Sequence, residues 1–267
     1  RREGATLSLP AVELVPGDIV LLDDHFATIV NAIEEGRAVF ENIRKFLTYI
    51  LTSNIPELVP YLAFVLFRIP LPLTVIQILA VDLGTDMLPA LALGAEKPHG
   101  DVMSQPPRPR GERLLSWPLL ARAYLFLGPL EALGAMAAFF FVLKVGGWQY
   151  GETLPAQAPL YLAATTACLA AIVLAQMANL FVCRHPSLPA WRFPLLENRL
   201  LLAGLASEFA LILAIVYTPW GNRLFGTAAL SMDAWLFALP FALLLLLCEE
   251  GRKFIVRLTQ KPPESKL

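Results

Sequence analysis

The sequence is poor in charge, cysteine and histidine. Only 16% of its 267 residues are Asp, Glu, Lys or Arg, and it has three cysteines and three histidines. The cysteines form no CxxC pair and the histidines show no metal-binding spacing. The sequence therefore predicts neither a disulfide framework nor a soft-metal site.

Motifs of several enzyme classes are also missing from the sequence. It contains no GxxxxGK[ST] phosphate-binding loop, no GxSxG nucleophile elbow and no HExxH zinc helix. Basic patches interleaved with aromatic residues are absent as well. We therefore expect no nucleic-acid partner.

Apolar residues dominate the composition. They make up 57% of the chain, and several apolar runs approach the roughly 20 residues that a membrane-spanning helix needs. The sequence therefore predicts an all-α polytopic membrane protein with six transmembrane helices. The predicted spans cover approximately residues 47–67, 72–94, 117–143, 159–182, 199–218 and 232–250.

The residues before the first span fall into two predicted units. Residues 1–22 alternate apolar and polar positions around prolines and a turn, which predicts a small β-like patch. Residues 23–46 carry apolar side chains at helical spacing and predict an amphipathic stalk helix that runs into the first span. The amino terminus has no signal-peptide core, and its first residue, Arg1, indicates a start inside a longer reading frame. Residues 47–257 then form the membrane domain, and 258–267 form a tail.

Lys and Arg are distributed unequally between the two ends of the predicted bundle. The end opposite the stalk holds only Arg68, Lys144 and Arg223, whereas the stalk end holds many more. The positive-inside rule therefore predicts that the stalk and both termini are cytoplasmic. We expect an integral protein of the plasma (inner) membrane.

The second span carries two carboxylates one helical turn apart. Asp82, Thr85 and Asp86 have the spacing that places them in one sector of an α-helix. A carboxylate inside a bilayer costs roughly 2.5–3.5 kcal/mol on insertion scales, so a pair needs a reason. The usual reason is an ion path.

The first span supplies oxygen atoms that match this pair. Asn54 and Glu57 share a face, and Pro56 and Pro60 each remove a backbone donor, which frees carbonyl oxygens. Such hard oxygen ligands suit Na⁺, K⁺, Ca²⁺ or Mg²⁺. Because the two spans form an antiparallel hairpin, their polar faces are predicted to meet in a cation site. The alternative is that these groups only hydrogen-bond one another and lock the bundle.

Later spans carry isolated polar residues. Gln176 and Asn179 lie three apart in the fourth span, Glu131 lies in the third and Glu208 in the fifth. Taken singly, each is more typical of helix packing than of a ligand.

Several strings resemble the P-type cation-transporting ATPases. They are VDLGTDMLPALALGAEKP in the second span, SNIPE in the first, EEGRAVFENIRKF in the stalk and GDVMSQPPRPRGERLL after the second span. The resemblance covers roughly residues 21–257 and corresponds to the fifth to tenth transmembrane helices of such pumps. It implies a cation-binding membrane region of an ATP-driven ion translocase.

The resemblance also implies roles for particular residues. Asn54, Glu57, Asp82, Thr85 and Asp86 correspond to residues that coordinate the transported ion. Gln176 and Asn179 are possible contributors from the eighth helix of such pumps. An Asp at position 82 is more similar to the sodium/potassium or proton/potassium branch than to calcium pumps, but the ion stays open among Na⁺, K⁺, Ca²⁺, Mg²⁺ and protons.

The sequence departs from the family in one large respect. Residues 10–20 resemble a segment of the actuator domain, and the residues that directly follow resemble the end of the phosphorylation domain. The DKTGT, TGES and TGDGxNDxP motifs that lie between them in such pumps are absent. We therefore hypothesise an in-frame deletion that leaves residues 1–22 as an actuator-like remnant. The resemblance then implies a truncated chain with no catalytic residues and no cofactor, unable to hydrolyse ATP alone, because Mg-ATP binds to the missing domains.

Two other functions remain open from the sequence. One is an ATP-independent cation channel or carrier, and the other is a non-transporting membrane scaffold. Besides the lipid bilayer and the cation, the expected partners are a second polypeptide that supplies catalytic domains or a second copy of this chain.

Overall fold

Six long helices make up most of the part of the chain that the structure describes. The structure is a computed structural model that describes residues 26–97, 102–103, 111–193 and 198–259. The predicted patch at 1–22, the beginning of the stalk and most of the predicted tail lie outside these residues. Six described helices are long and apolar enough to cross a membrane, which confirms the all-α polytopic architecture.

Stalk and first span form one continuous helix, as predicted. Helix α1 runs over Phe26–Phe67, with Pro56 and Pro60 inside it. Helix α2 spans Val75–Gly94, and its middle, Val81–Thr85, is a π-helix. Thr74 caps α2 through a capping box with Gln77, which explains why the helix begins three residues later than the predicted span.

The other helices follow the predicted order. Helix α3 spans Trp117–Val145 and contains a π-helical turn, Arg122–Leu127. Helix α4 spans Pro159–Cys183, and α5 spans Arg199–Tyr217 after the N-cap Asn198, whose side chain accepts from the Leu201 N–H. The short helix α6, Pro219–Phe225, precedes α7, Met232–Thr259, which continues nine residues past the predicted end of the last span.

Helix α4 lies at the centre of the bundle. Within its most apolar window 83% of the residues are buried, against 28–44% in the other five long helices. It packs on α3 and α7, and α1 packs against α2, α3 and α4. The small residues of α4, Ala164, Ala167, Ala170 and Ala171 among them, allow this close packing.

Helices α1 and α2 form the predicted antiparallel hairpin. Tyr49 contacts Asp86, and Lys45, one turn earlier in α1, contacts Glu96, just after the end of α2. Later positions in α2 therefore meet earlier positions in α1, which is the antiparallel order. At the other end of the bundle Tyr150 Oη donates to the Phe67 carbonyl over 2.6 Å and holds the end of α1.

Candidate cation-binding site

One line of polar side chains on α1 faces the interior of the bundle. Tyr49, Ser53 and Glu57 follow each other at intervals of four residues, and all three are buried. Ser53 Oγ donates to Glu57 Oε1 over 3.4 Å, and Tyr49 Oη donates to Asp86 Oδ1 over 3.4 Å. The line thus connects the proline-containing half of α1 with the carboxylate of α2.

The π-helical turn in α2 sets the position of Asp86. The Asp86 N–H donates to the Val81 carbonyl over 2.9 Å, a bond five residues back instead of four. Thr85 Oγ1 contacts both the Val81 carbonyl at 3.2 Å and Asp86 Oδ1 at 3.4 Å. Pro89 has no N–H to offer the Thr85 carbonyl, so this oxygen lacks its usual helical donor. Hydroxyl, carbonyl and carboxylate oxygens therefore lie on consecutive residues, as a hard cation requires.

The structure brings together three of the five predicted ligands. Glu57, Thr85 and Asp86 are buried, with exposed fractions of 8%, 1% and 0%. Asp82 is exposed, although its carboxyl group lies within hydrogen-bonding reach of Glu57. Asn54 lies on the exposed side of α1.

Asp82 thus lies at the outer, exposed edge of the predicted sector, with its carboxyl still within reach of Glu57. The segment Val81–Thr85 that carries it is π-helical and not α-helical. Asn54 is likewise outside the interior polar line, because that line runs through Ser53 and Glu57, and Asn54 follows Ser53 by a rotation of about 100°.

A second polar cluster lies beside the first. Gln176 Nε2 donates to Glu131 Oε2 over 2.9 Å, and Asn179 Nδ2 donates to Gln176 Oε1 over 3.4 Å. Cys183 Sγ donates in turn to Asn179 Oδ1 over 3.1 Å. Glu131, Gln176 and Asn179 are almost completely inaccessible. The two secondary residues predicted from the sequence thus hold a glutamate that the sequence indicated only as a packing residue.

Glu208 is the other buried acid that the sequence indicated only as a packing residue. It is fully buried in α5, and its carboxyl lies close enough to Asp86 and Glu131 to interact with their charges. Both of its carboxyl oxygens are buried without a hydrogen-bond partner. Its burial is a property of how α5 packs on α2, which single-residue spacing does not reveal.

Three of the fully buried carboxyl groups, those of Asp86, Glu131 and Glu208, have oxygen atoms that lack a hydrogen-bond partner. Asp86 Oδ2, Glu131 Oε1 and both oxygens of Glu208 have no partner. The ion pairs among the described residues use other carboxylates, those of Glu96, Glu112, Glu249 and Glu250. A buried carboxylate without a partner takes up a cation or a proton. Within the described residues no three His, Cys, Asp or Glu side chains form a metal cluster, so any cation here would also use hydroxyl, amide and carbonyl oxygens.

Comparison with known proteins identifies similar sequences. A family model described as cation transporting ATPase, C-terminus, matches residues 70–255. The sequence is 34% identical over 265 residues to the sodium/potassium-transporting ATPase subunit alpha of Tetronarce californica. It is 35% identical over the same length to subunit alpha-2 of Gallus gallus and to subunit alpha-3 of Homo sapiens. Each alignment covers 90% of this chain and 26% of the relative, so the chain spans about a quarter of the length of the curated relatives it matches.

Proposed function

This chain belongs to the P-type cation-transporting ATPases and matches their carboxy-terminal membrane region, and from this premise we propose that it forms the cation-binding part of such a pump. The proposed ligands are Glu57, Thr85 and Asp86 in the interior, with Asp82 and Asn54 at the outer edge. Residues 23–46 serve as the stalk of the membrane domain at 47–257.

The observation that carries this proposal is the meeting of Glu57 and Asp86 across the α1–α2 hairpin. Ser53 lies within hydrogen-bonding reach of both carboxyl groups, and Asp86 keeps one buried oxygen without a partner. Helix packing alone would be served better by neutral residues, because uncompensated buried carboxylates destabilise a bundle. A site that binds and releases a cation explains why they are present.

The outward direction of Asn54 and Asp82 supports an incomplete site. Both lie on the exposed side of the hairpin, next to exposed apolar residues such as Leu58 and Leu83. We propose that helices from outside this sequence cover this face and add the missing ligands. This sequence by itself is then expected to bind the cation more weakly than a complete pump does.

The second cluster is proposed as a further subsite of the same pathway. Glu131, Glu208, Gln176 and Asn179 supply acidic and amide oxygens in the buried interior next to Asp86. Because the first relatives are sodium/potassium-transporting ATPase subunits, we propose a monovalent cation as the ligand. Protons remain the competing ligand for every buried carboxylate.

ATP hydrolysis is proposed to take place outside this sequence. Phosphoryl transfer needs an aspartyl acceptor, a magnesium site and nucleotide contacts, and the motifs that provide them do not occur in the 267 residues. We propose that the segment by itself hydrolyses no ATP and works with those domains, supplied by a longer chain or a second polypeptide. The stalk end is proposed to face the cytoplasm.

Calorimetry on the detergent-solubilised 267-residue chain tests the proposal. Na⁺, K⁺, Ca²⁺ and Mg²⁺ are titrated into the wild type and into Asp82→Asn/Asp86→Asn. We expect binding of a monovalent cation to the wild type that is lost in the double variant. Asp233→Asn, an exposed acidic residue at the start of α7, is the matched control. Equal binding by the wild type and the double variant would contradict the proposed site. No binding of any cation would contradict it as well and would favour a scaffold.

A further inference from the structure

A cavity of about 480 Å³ opens at the stalk end of the bundle, away from the carboxyl clusters. The stalk part of α1, the first turns of α3, the end of α4 with the residues that follow, and α7 enclose it. Its polar lining consists mainly of basic and hydroxyl side chains. The residues that matter here are Arg44, Lys45, Arg122, His185, Ser187 and Arg252.

The lining carries an excess of positive charge. Four basic side chains line the cavity, and among the described residues Glu41 is the one carboxylate in its wall. The carboxylates behind the wall are shared, since Glu249 pairs with both Arg122 and Arg252. Glu96 in the same way pairs with both Lys45 and Arg184. Arg44 pairs with Glu112. Together with Glu41, four carboxylates therefore face five cations, and this net positive charge makes the cavity attractive to an anion.

Arg122 has a donor that is not in use. Its side chain is 90% buried, and one terminal nitrogen contacts Glu249 at 2.7 Å and the Val182 carbonyl at 3.0 Å. Its Nε is buried without a hydrogen-bond partner. An unused N–H of a buried guanidinium costs free energy. An anion in the cavity, with several charged acceptor oxygens, accepts from the partly exposed guanidinium groups of Arg44 and Arg252 and also offsets the charge of Arg122.

The position of the cavity favours an acceptor that also has apolar chains. Pro118 and Leu119 form an apolar part of its wall. Next to them Trp117 and Leu115 are 73% and 50% exposed. Trp117 begins the membrane-spanning helix α3, and exposed tryptophan at a helix end is typical of the membrane–water interface. Basic pockets between helix ends at this depth bind anionic lipid headgroups.

We propose that this basic cavity binds a phosphate group, and that an anionic phospholipid of the adjoining leaflet supplies it. Arg44, Arg122 and Arg252 contact the phosphate oxygens, and the acyl chains lie along Pro118, Leu119 and Trp117. The lipid joins α1 to α3 and α7 at the stalk end. Free phosphate has the same chemistry, and the experiment separates the two sources.

The test compares lipid retention by three proteins. The 267-residue chain is placed in nanodiscs of phosphatidylcholine mixed with phosphatidylglycerol, and native mass spectrometry counts the lipids that stay bound after release from the discs. The variant is Arg44→Gln/Arg252→Gln, which leaves Glu249 paired with Arg122 and removes only partly exposed side chains. The control is Arg113→Gln/Arg199→Gln, two exposed arginines that do not line the cavity. A second arm measures the thermal midpoint of each protein in detergent with and without inorganic phosphate.

We expect the wild type and the control to retain phosphatidylglycerol in preference to phosphatidylcholine. In the variant, the ratio of retained phosphatidylglycerol to phosphatidylcholine should be at least about tenfold lower. A shift of the wild-type midpoint by phosphate, without a lipid preference, would identify free phosphate as the ligand instead. Equal retention by all three proteins, with no phosphate shift, would overturn the proposal. If the double variant fails to fold, Arg44→Gln provides the same comparison, because its ion pair with Glu112 is about one-third exposed.

Discussion

Arg184 Nε lies 2.6 Å from Glu96 Oε1. This ion pair joins the end of α4 to the short segment that follows α2. The other oxygen, Oε2, lies 2.9 Å from Lys45 Nζ on the stalk. Asn42 adds a hydrogen bond from its side-chain amide to the Glu96 carbonyl. One buried carboxylate therefore connects the stalk, the end of α2 and the central helix.

Glu96→Gln is expected to destabilise the chain by about 3–5 kcal/mol, because it leaves Lys45 and Arg184 buried without their shared partner. Thermal unfolding in detergent at neutral pH measures the loss. Glu35→Gln, an exposed change on the same stalk, is the control and should alter the midpoint little. A midpoint of Glu96→Gln equal to that of the control would show that the ion pairs contribute nothing.

The stabilisation by Glu96 is also expected to depend on pH. Burial acts to raise the pKa of Glu96, but the charges of Lys45 and Arg184 outweigh this effect and hold it below the ordinary value of 4.5. The unfolded state therefore binds the proton first, so the stabilisation is complete above about pH 4.5 and is lost as the pH falls through the lower pKa of the folded state. The difference in midpoint between wild type and Glu96→Gln should shrink over that acidic range. A difference that stays constant down to the acid-unfolding limit would contradict the assignment.

Burial of the candidate ligands predicts a ranking of their effects on cation binding. Asp86 is fully buried and Asn54 is exposed, so Asp86→Asn should weaken binding by at least about tenfold and Asn54→Ala by much less. Titration calorimetry with Na⁺ and K⁺ on the 267-residue chain gives both constants. Equal losses would show that Asn54 turns inward when the cation binds.

The apolar runs were sufficient to predict the bundle but not the directions of its polar side chains. Six runs near 20 residues dictate six helices because an unpaired backbone is too costly in a bilayer. The helix that carries Asp82 and Asp86 contains a π turn, and no residue of Val81–Thr85 indicates that turn by itself. Glu208 is buried because α5 packs on α2, a tertiary contact that spacing within one helix does not contain. The ion pairs of Glu96 also join residues that are far apart in the sequence, so no single motif indicates them.

The pair formed by Glu131 and Gln176 gives a fourth prediction, on the second cluster. Gln176→Leu removes the donor 2.9 Å from Glu131 Oε2 and leaves that carboxyl with no partner on either oxygen. We expect a loss of about 1–3 kcal/mol. Glu131→Leu added to Gln176→Leu should recover part of this loss, since the unpaired acid is then gone, and a double-mutant cycle by thermal unfolding measures the coupling. Strict additivity of the two changes would show that the hydrogen bond does not form.

The contact between α5 and α2 gives the last prediction, because it holds the candidate site from behind. A Cβ atom at Gly204 would lie 3.1 Å from both Cα and N of Pro89, three residues after Asp86. Backbone atoms cannot turn aside as a flexible side chain does, so Gly204→Ala must push α5 and α2 apart. We expect a loss of about 1–3 kcal/mol in stability together with weaker cation binding, since Asp86 and Glu208 lie on the two helices that separate.

Gly36→Ala, where no atom lies within 4 Å of the added Cβ, is the matched control and should raise stability by about 0.5–1 kcal/mol through its helix propensity. If Gly204→Ala binds the cation as the wild type does while losing stability, the position of Glu208 relative to Asp86 does not matter for binding, and the proposed second subsite is wrong.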